Sequence, residues 1–299
     1  MDFYFSRFEH RRPPEPLSTP RWVRMIWQVL AVAALVLGAN YIYWRWTASL
    51  NTDALWYAIP LVLAETLAWI GTVLFTINLW QEKDPPPGVP PTEINDCLRA
   101  DEAVESRPIK VDLFIATYSE DVELVRLSIR DAMQMTYPGP LDYKVHVLDD
   151  GRRPEMKAVC EQEGANYITR QSNIGYKAGN LRNGLEHTDG DFLIICDADT
   201  RVFPTLLSHT LGYFRDPDVA WVQTPQWFFD LPEGEDLASW LRRKAGGAGY
   251  GVGWLAQKIV GPVTIGRDPF FNDPRMFYDV ILRRRNWANA AFCCGAASV

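Results

Sequence analysis

The sequence has too few cysteines, and too irregularly placed, to build a thiol framework. Its 299 residues hold five, Cys97, Cys160, Cys196, Cys293 and Cys294, and no Cys-x-x-Cys pair. An odd number without that spacing argues against a disulfide scaffold and a zinc knuckle, and reads as reduced thiols facing a cytosol. The adjacent Cys293 and Cys294 read as small packing residues, with a reactive pair as the alternative. Basic residues are also short: 30 Lys and Arg stand against 37 Asp and Glu, a net charge of −7. That balance argues against a general nucleic-acid binder. There is no phosphate loop, because the glycine-rich stretch AGGAGYGVG (245–253) is not followed by Gly-Lys-Ser/Thr. It reads as a mobile loop. Its flanks, LASWLRRK and GWLAQKIV, suit either a membrane surface anchored by Trp240 and Trp254 or a buried core.

Charge is missing altogether from residues 25–44, MIWQVLAVAALVLGANYIYW, between Arg24 and Arg45. An apolar run of roughly 20 residues spans a bilayer as a helix. Trp22 and Trp27 at one edge and Tyr41, Tyr43, Trp44 and Trp46 at the other suit the two interfaces. The run is too long and too far from Met1 for a signal peptide, and no small-residue cleavage site follows it. Residues 54–80 repeat the pattern with one charge, Glu65, and with Pro60 near the start. An intramembrane carboxylate needs a partner on a neighbouring helix or a place on a transport path. The tail carries Arg7, Arg11, Arg12, Arg21 and Arg24, whereas the loop between the runs carries Arg45 and Asp53. The positive-inside rule puts the tail, and everything after Trp80, in the cytoplasm. The expected organisation is a basic tail (1–24), transmembrane helices at 25–46 and 54–80, a proline-rich linker (81–107, with DPPPGVPP) and a soluble domain (108–299).

From Val111 onward strands and helices alternate. VDLFIATYS, YKVHVLDDG, NYITR, DFLIIC and VAWVQTP read as strands; 121–135, 153–163, 177–186 and 205–214 read as helices. This order predicts an α/β fold with a mostly parallel, twisted sheet covered on both faces. Ligands of such sheets bind beyond the carboxyl ends of the strands. Those ends carry Thr117-Tyr118-Ser119-Glu120, Asp149-Asp150-Gly151, Asp197-Ala198-Asp199 and Thr224-Pro225-Gln226. A buried strand has no structural reason to finish on two aspartates. Oxygen ligands suit Mg²⁺ or Mn²⁺, and Mg²⁺ commonly bridges one or two carboxylates to substrate phosphates. Asp197 and Asp199 are therefore the candidate metal ligands.

Six segments, TYSE (117–120), LDDG (148–151), NIGYKAGNLRN (173–183), ICDADT (195–200), VQTPQWF (222–228) and AFCCGAAS (291–298), resemble the family-2 glycosyltransferases of GT-A fold. The nearest branch is the processive, membrane-embedded one that includes bacterial cellulose synthase catalytic subunits. The resemblance covers 110–299, and the two apolar runs fit it. It implies that Thr117, Tyr118, Glu120 and Asp149 or Asp150 hold the uridine of a UDP-sugar. Lys177 would approach the diphosphate, and Asp197 and Asp199 would bind metal and donor. Gln226, Trp227 and the Cys294-Gly295 turn would lie near a glucan acceptor. It further implies a multi-pass protein of the bacterial inner membrane with its transferase domain in the cytosol, working with the lipid bilayer and a secretion-complex subunit. The product would be a β-glucan made by inverting transfer from UDP-glucose, with cellulose, curdlan-like and mixed linkages open.

Ser119, Gly175-Tyr176 and Trp227 depart from the family's usual residues. The family's Thr-Glu-Asp motif, whose Asp is the expected general base, falls beyond Val299, so the resemblance implies a longer protein and leaves the base unassigned here. A catalytically inactive membrane scaffold is the alternative from another class, and the intact acidic positions count against it. A metal-dependent phosphohydrolase or nucleotidyltransferase also uses paired aspartates, but the TPQ and Cys-Gly motifs count against that.

Overall fold

The computed structural model describes residues 3–13, 20–82, 86–230, 235–261, 263–265 and 276–299. Residues 14–19 of the expected tail and 83–85 at the linker's start lie outside them. The chain divides into two units, each discontinuous in sequence. One takes in Pro85–Thr224 and Phe292–Val299; the other takes in Asp2–Asp84 and Pro225–Ala291.

The second unit holds both apolar runs as helices, α1 (Arg21–Thr47) and α2 (Leu55–Asn78). At 1.5 Å per residue α1 is about 40 Å long, enough to cross a bilayer. The two form an antiparallel hairpin. Arg45 Nε donates to Glu65 Oε2 at 2.6 Å and Trp46 Nε1 to Thr66 Oγ1 at 3.0 Å near one end, while Trp27 and Trp80 meet at 6.0 Å near the other. Glu65 thus has the neighbouring-helix partner that its apolar setting requires. Around this hairpin the large apolar side chains, such as Val29, Leu37, Trp56 and Leu67, are exposed.

The first unit is the α/β layer. Its elements run β1 (Ile109–Thr117), α3 (Val122–Met133), β2 (Leu141–Asp149), α4 (Pro154–Glu163), β3 (Asn166–Ile168), α5 (Tyr176–Glu186), β4 (Phe192–Asp197) and α6 (Leu206–Thr210). The strands are all parallel, in the order β3-β2-β1-β4. Local chemistry sets the boundaries. Asp121 caps α3 by accepting from the Glu123 N–H at 2.8 Å. Pro154 opens α4, and Gly164, at φ +81°, ends it. Alternate residues of β1 (Ile109, Val111, Leu113, Ile115) are fully buried with Val125 and Ile129 of α3 and Met156 and Val159 of α4 in one core. Each such side chain stabilises the fold by about 1.5–3 kcal/mol. On the opposite face Gly184 of α5 lies against Phe114 and Leu148.

Three expectations change. Residues 219–225 do not form a strand. Gln223 makes an isolated bridge to Ser298, which also bridges Ile195 of β4. The carboxyl-terminal segment thus lies between β4 and 222–224, antiparallel to both. Residues 205–214 split into α6 and a 3₁₀ turn, Leu211–Arg215. The glycine-rich stretch is helical, within α7 (Leu237–Val260), which breaks at Ala245-Gly246. A Cβ on Gly253 would lie 2.5 Å from Ala238 Cα, and one on Gly249 2.2 Å from the Leu241 carbonyl. The helix folds back on itself, and Gly249 and Gly253 serve its close packing, whereas a Cβ on Gly246, Gly247 or Gly251 would meet nothing within 4 Å.

The linker is also more ordered than its composition suggests. Tyr137 donates to the Pro91 carbonyl at 2.6 Å and Arg215 Nε to that of Val89 at 2.7 Å. Gly88 packs directly on Gly212, where an added Cβ would lie 2.0 Å from the Gly88 carbonyl oxygen. Gly212→Ala should therefore destabilise the α/β unit by about 1–3 kcal/mol, read as a lower urea midpoint with an unchanged slope.

Candidate active site

The carboxyl ends of β1, β2 and β4 meet at one edge of the sheet, and the loops after them supply the candidate residues. Beyond β1, Glu120 folds back over its own turn. Its carboxylate accepts from Thr117 Oγ1 and the Tyr118 N–H, each at 2.7 Å, and from the Ser119 N–H at 3.1 Å. Burial alone would raise its pKa, but these donors outweigh it and hold the carboxyl below the usual range. Thr117 is buried and Tyr118 presents an exposed ring.

Beyond β2, both aspartates are engaged. Asp149 is fully buried and accepts from the Gly151 N–H (3.0 Å), the Arg153 N–H (2.7 Å), Arg153 Nε (3.2 Å) and the Tyr167 hydroxyl (3.1 Å). Burial, with Asp149 alongside, pushes the Tyr167 pKa up to about 12. Arg153 also reaches Thr117 Oγ1 (2.8 Å) and the Glu120 carbonyl (2.6 Å), tying the β1 and β2 loops together. Asp150 makes a bidentate pair with Arg170, both bonds 2.7 Å. Arg170 then donates to the carbonyls of Ile174 (2.7 Å) and Tyr176 (2.9 Å), fixing the turn that opens α5.

That turn presents Lys177. Its ammonium donates to Asp197 and, at 2.8 Å, to the Gly295 carbonyl. Asp197 ends β4 half exposed, and Asp199, two residues on, is exposed with no hydrogen bond among the described residues. One cation therefore joins the aspartate edge to the Cys-Gly turn. That turn is clamped by Gln223, whose Oε1 accepts from the Cys294 N–H (2.7 Å) and Ser298 Oγ (2.5 Å) while its Nε2 donates to the Ala296 carbonyl (2.9 Å).

Backbone strain concentrates in these loops. Arg152, Tyr176 and Ala297 have φ of +55°, +48° and +49°. Such conformations cost about 1 kcal/mol each and persist where surrounding bonds over-determine them. Tyr118, Lys177, Asp197, Asp199, Cys294 and Gly295 thus belong to one unit, on loops or at the ends of α5 and β4. Gln226 and Trp227 belong to the other unit, where Trp227 meets Phe229 with ring centres 6.1 Å apart. Sequence reading missed Arg153, Arg170 and Gln223. The first had a signal, its i+4 spacing from Asp149; the other two act across distant segments.

The thiols divide cleanly. Cys97, Cys160 and Cys196 are buried, and burial pushes their pKa up to about 11, 12 and 12 respectively. Cys293 is exposed and Cys294 partly so. A maleimide at pH 7 should label these two in the native chain and the other three only after unfolding, as read by mass spectrometry.

Comparison with known proteins bears on this arrangement. The profile described as Glycosyl transferase family 2 matches residues 112–265. The chain is 31% identical over 275 residues to the UDP-forming cellulose synthase catalytic subunit of Pseudomonas fluorescens (strain SBW25), covering 90% of this chain and 32% of that protein. It is 34% identical over 190 residues to cellulose synthase 1 of Komagataeibacter xylinus, covering 63% and 10%. It thus spans about a third of the first relative and a tenth of the second. Among solved structures, the mannosyltransferase PcManGT from Pyrobaculum calidifontis, in complex with GDP-Man and Mn²⁺, overlaps 68% of this chain and 48% of its own at 17% identity and a TM-score of 0.39.

Proposed function

The chain belongs to glycosyl transferase family 2, and from that premise we propose that it forms the donor-binding part of a membrane-embedded hexosyltransferase. In this reading it adds glucose from a UDP-sugar to a growing β-glucan. The carrying observation is Lys177, which spans Asp197 at the end of β4 and the Gly295 carbonyl.

Asp197 and Asp199 fit a divalent cation, Mg²⁺ or Mn²⁺. Both offer hard oxygen donors at a surface that solvent reaches. Two carboxylates leave the remaining positions to water and a diphosphate. When bound, the ion neutralises charge on the diphosphate. Lys177 exchanges its carboxylate partner for diphosphate oxygens and stabilises UDP as it leaves. Tyr118 offers its exposed ring to the base. Thr117, Glu120, Asp149 and Asp150 hold the wall behind it. The acceptor hydroxyl attacks the anomeric carbon from the opposite side, inverting it, with the Cys294-Gly295 turn along the acceptor path.

Two helices of mean hydropathy 1.8, with apolar side chains exposed along them, support α1 and α2 as spans. The arginine-rich tail supports a cytosolic transferase domain at a bacterial inner membrane, where a further subunit would take the polymer outward. Calorimetry of UDP binding to the detergent-solubilised chain tests the donor assignment. Binding with Mg²⁺ that disappears with chelator is expected; binding indifferent to metal would overturn it.

A further inference from the structure

Arg284 departs from its sequence reading. In the sequence Arg283-Arg284-Arg285 reads as a solvated helix face, with contact to lipid head groups or phosphate as the alternative; in the structure Arg284 is only 5% exposed. It follows the π-helical segment Met276–Leu282 in the second unit. Its guanidinium stands 5.4 Å from the centre of the Trp27 ring and makes no hydrogen bond or ion pair among the described residues. The stacking recovers part of the cost of burying the charge. A fork of N–H donors without a protein acceptor among the described residues remains.

The neighbours increase the positive charge. Arg24, near the start of α1, is close enough to disfavour the charged form of Arg284, and it too has no side-chain partner among the described residues. Glu82 opposes this, but its carboxylate is already 3.4 Å from Arg283. Burial, the largest influence, pulls the Arg284 pKa below the ordinary guanidinium range. The cluster lies where α1 begins and α2 ends. There Trp27 meets Trp80, Gln28 donates to the Trp80 carbonyl at 3.3 Å and Trp287 Nε1 to the Asn78 carbonyl at 3.0 Å. Met25, Ile26 and Val29 of α1 and Ile77 of α2 continue from it as exposed apolar surface.

We propose that Arg24 and Arg284, walled by Trp27, bind the phosphate of an anionic phospholipid whose acyl chains lie along the exposed apolar side chains of α1 and α2. Two cations short of an acceptor call for an anion, and a phosphodiester matches the guanidinium fork. The adjoining apolar surface selects a lipid over a free ion. The assignment rests on reading α1 and α2 as membrane helices.

The test uses the purified chain in a nonionic detergent and fluorescent phosphatidylglycerol. Unlabelled phosphatidylglycerol should displace the probe; phosphatidylcholine and inorganic phosphate at the same concentration should not. Arg284→Gln and Arg24→Gln should each weaken binding roughly tenfold. Arg243→Gln, which removes a charge on α7 paired with Glu235, should leave it unchanged. Arg24 lies near a helix start and makes no side-chain bond among the described residues, so that variant stays informative if Arg284→Gln unfolds. Equal displacement by phosphatidylcholine, or wild-type binding by Arg24→Gln, overturns the site; equal displacement by inorganic phosphate overturns the lipid. Flotation with phosphatidylcholine vesicles checks the spans separately: a chain that fails to float defeats the membrane reading, while lipid preference in micelles still decides this one.

Discussion

Asp199→Ala is expected to lower metal-dependent UDP affinity by at least about 100-fold while leaving the melting temperature of the chain unchanged. The two halves of that expectation have separate causes. Asp199 is exposed and holds nothing else in place, so its removal has no structural cost. In the proposed site it is one of only two protein ligands, and a cation left with one carboxylate no longer anchors the diphosphate. Lys177→Met should behave differently. It removes the cation proposed to stabilise the leaving group and frees Asp197, so donor binding should weaken by about tenfold but still require metal. Calorimetry with Mg²⁺ and with chelator separates the two. Wild-type affinity in Asp199→Ala would sink the metal assignment.

Asp149→Ala should instead act on the fold, costing about 3–5 kcal/mol of stability. The carboxylate is fully buried and takes bonds from the Gly151 and Arg153 backbone, the Arg153 side chain and Tyr167. Removing it leaves the Arg153 guanidinium, itself 15% exposed, without its counter-charge. The loops after β1 and β2 then lose their common tie, so donor binding falls with them. Urea unfolding, monitored by far-UV circular dichroism, measures this. A variant with wild-type stability would mean that Asp149 is available to contact the nucleotide itself.

The contrast marks what can be read from sequence. The four parallel strands were legible because each is a short apolar run closed by polar residues, and α3 and α4 between them carry their own start or stop signals. The location of the acidic edge followed from that alternation. The division of labour among the aspartates did not. Asp149, Asp150, Asp197 and Asp199 look alike in the sequence; what separates them is Arg153 four residues on, Arg170 twenty residues on, and a lysine from another helix. The strand expected at 219–225 failed for a related reason. Val222 and Thr224 bond to the segment ending at Val299, not to a long strand, and no local pattern announces that pairing. The glycine-rich stretch looked like a loop because glycine disfavours helix, yet close packing within α7 overrides that preference. Arg284 looked solvated because three consecutive arginines usually are.

The carboxyl-terminal segment has a kinetic consequence. Ser298 pairs with Ile195, so β4 acquires its outer neighbour only from residues made after the whole stretch Pro225–Ala291. During synthesis the α/β unit can assemble its four parallel strands early, while the N–H of Ile195 waits on an open sheet edge. Closing so long a detour adds little to the entropy of the finished fold but raises its contact order and delays completion. In that interval β4 is an unprotected edge, open to pairing with another chain. Once the late segment arrives, Gln223 and Lys177 hold it in place and the edge is closed.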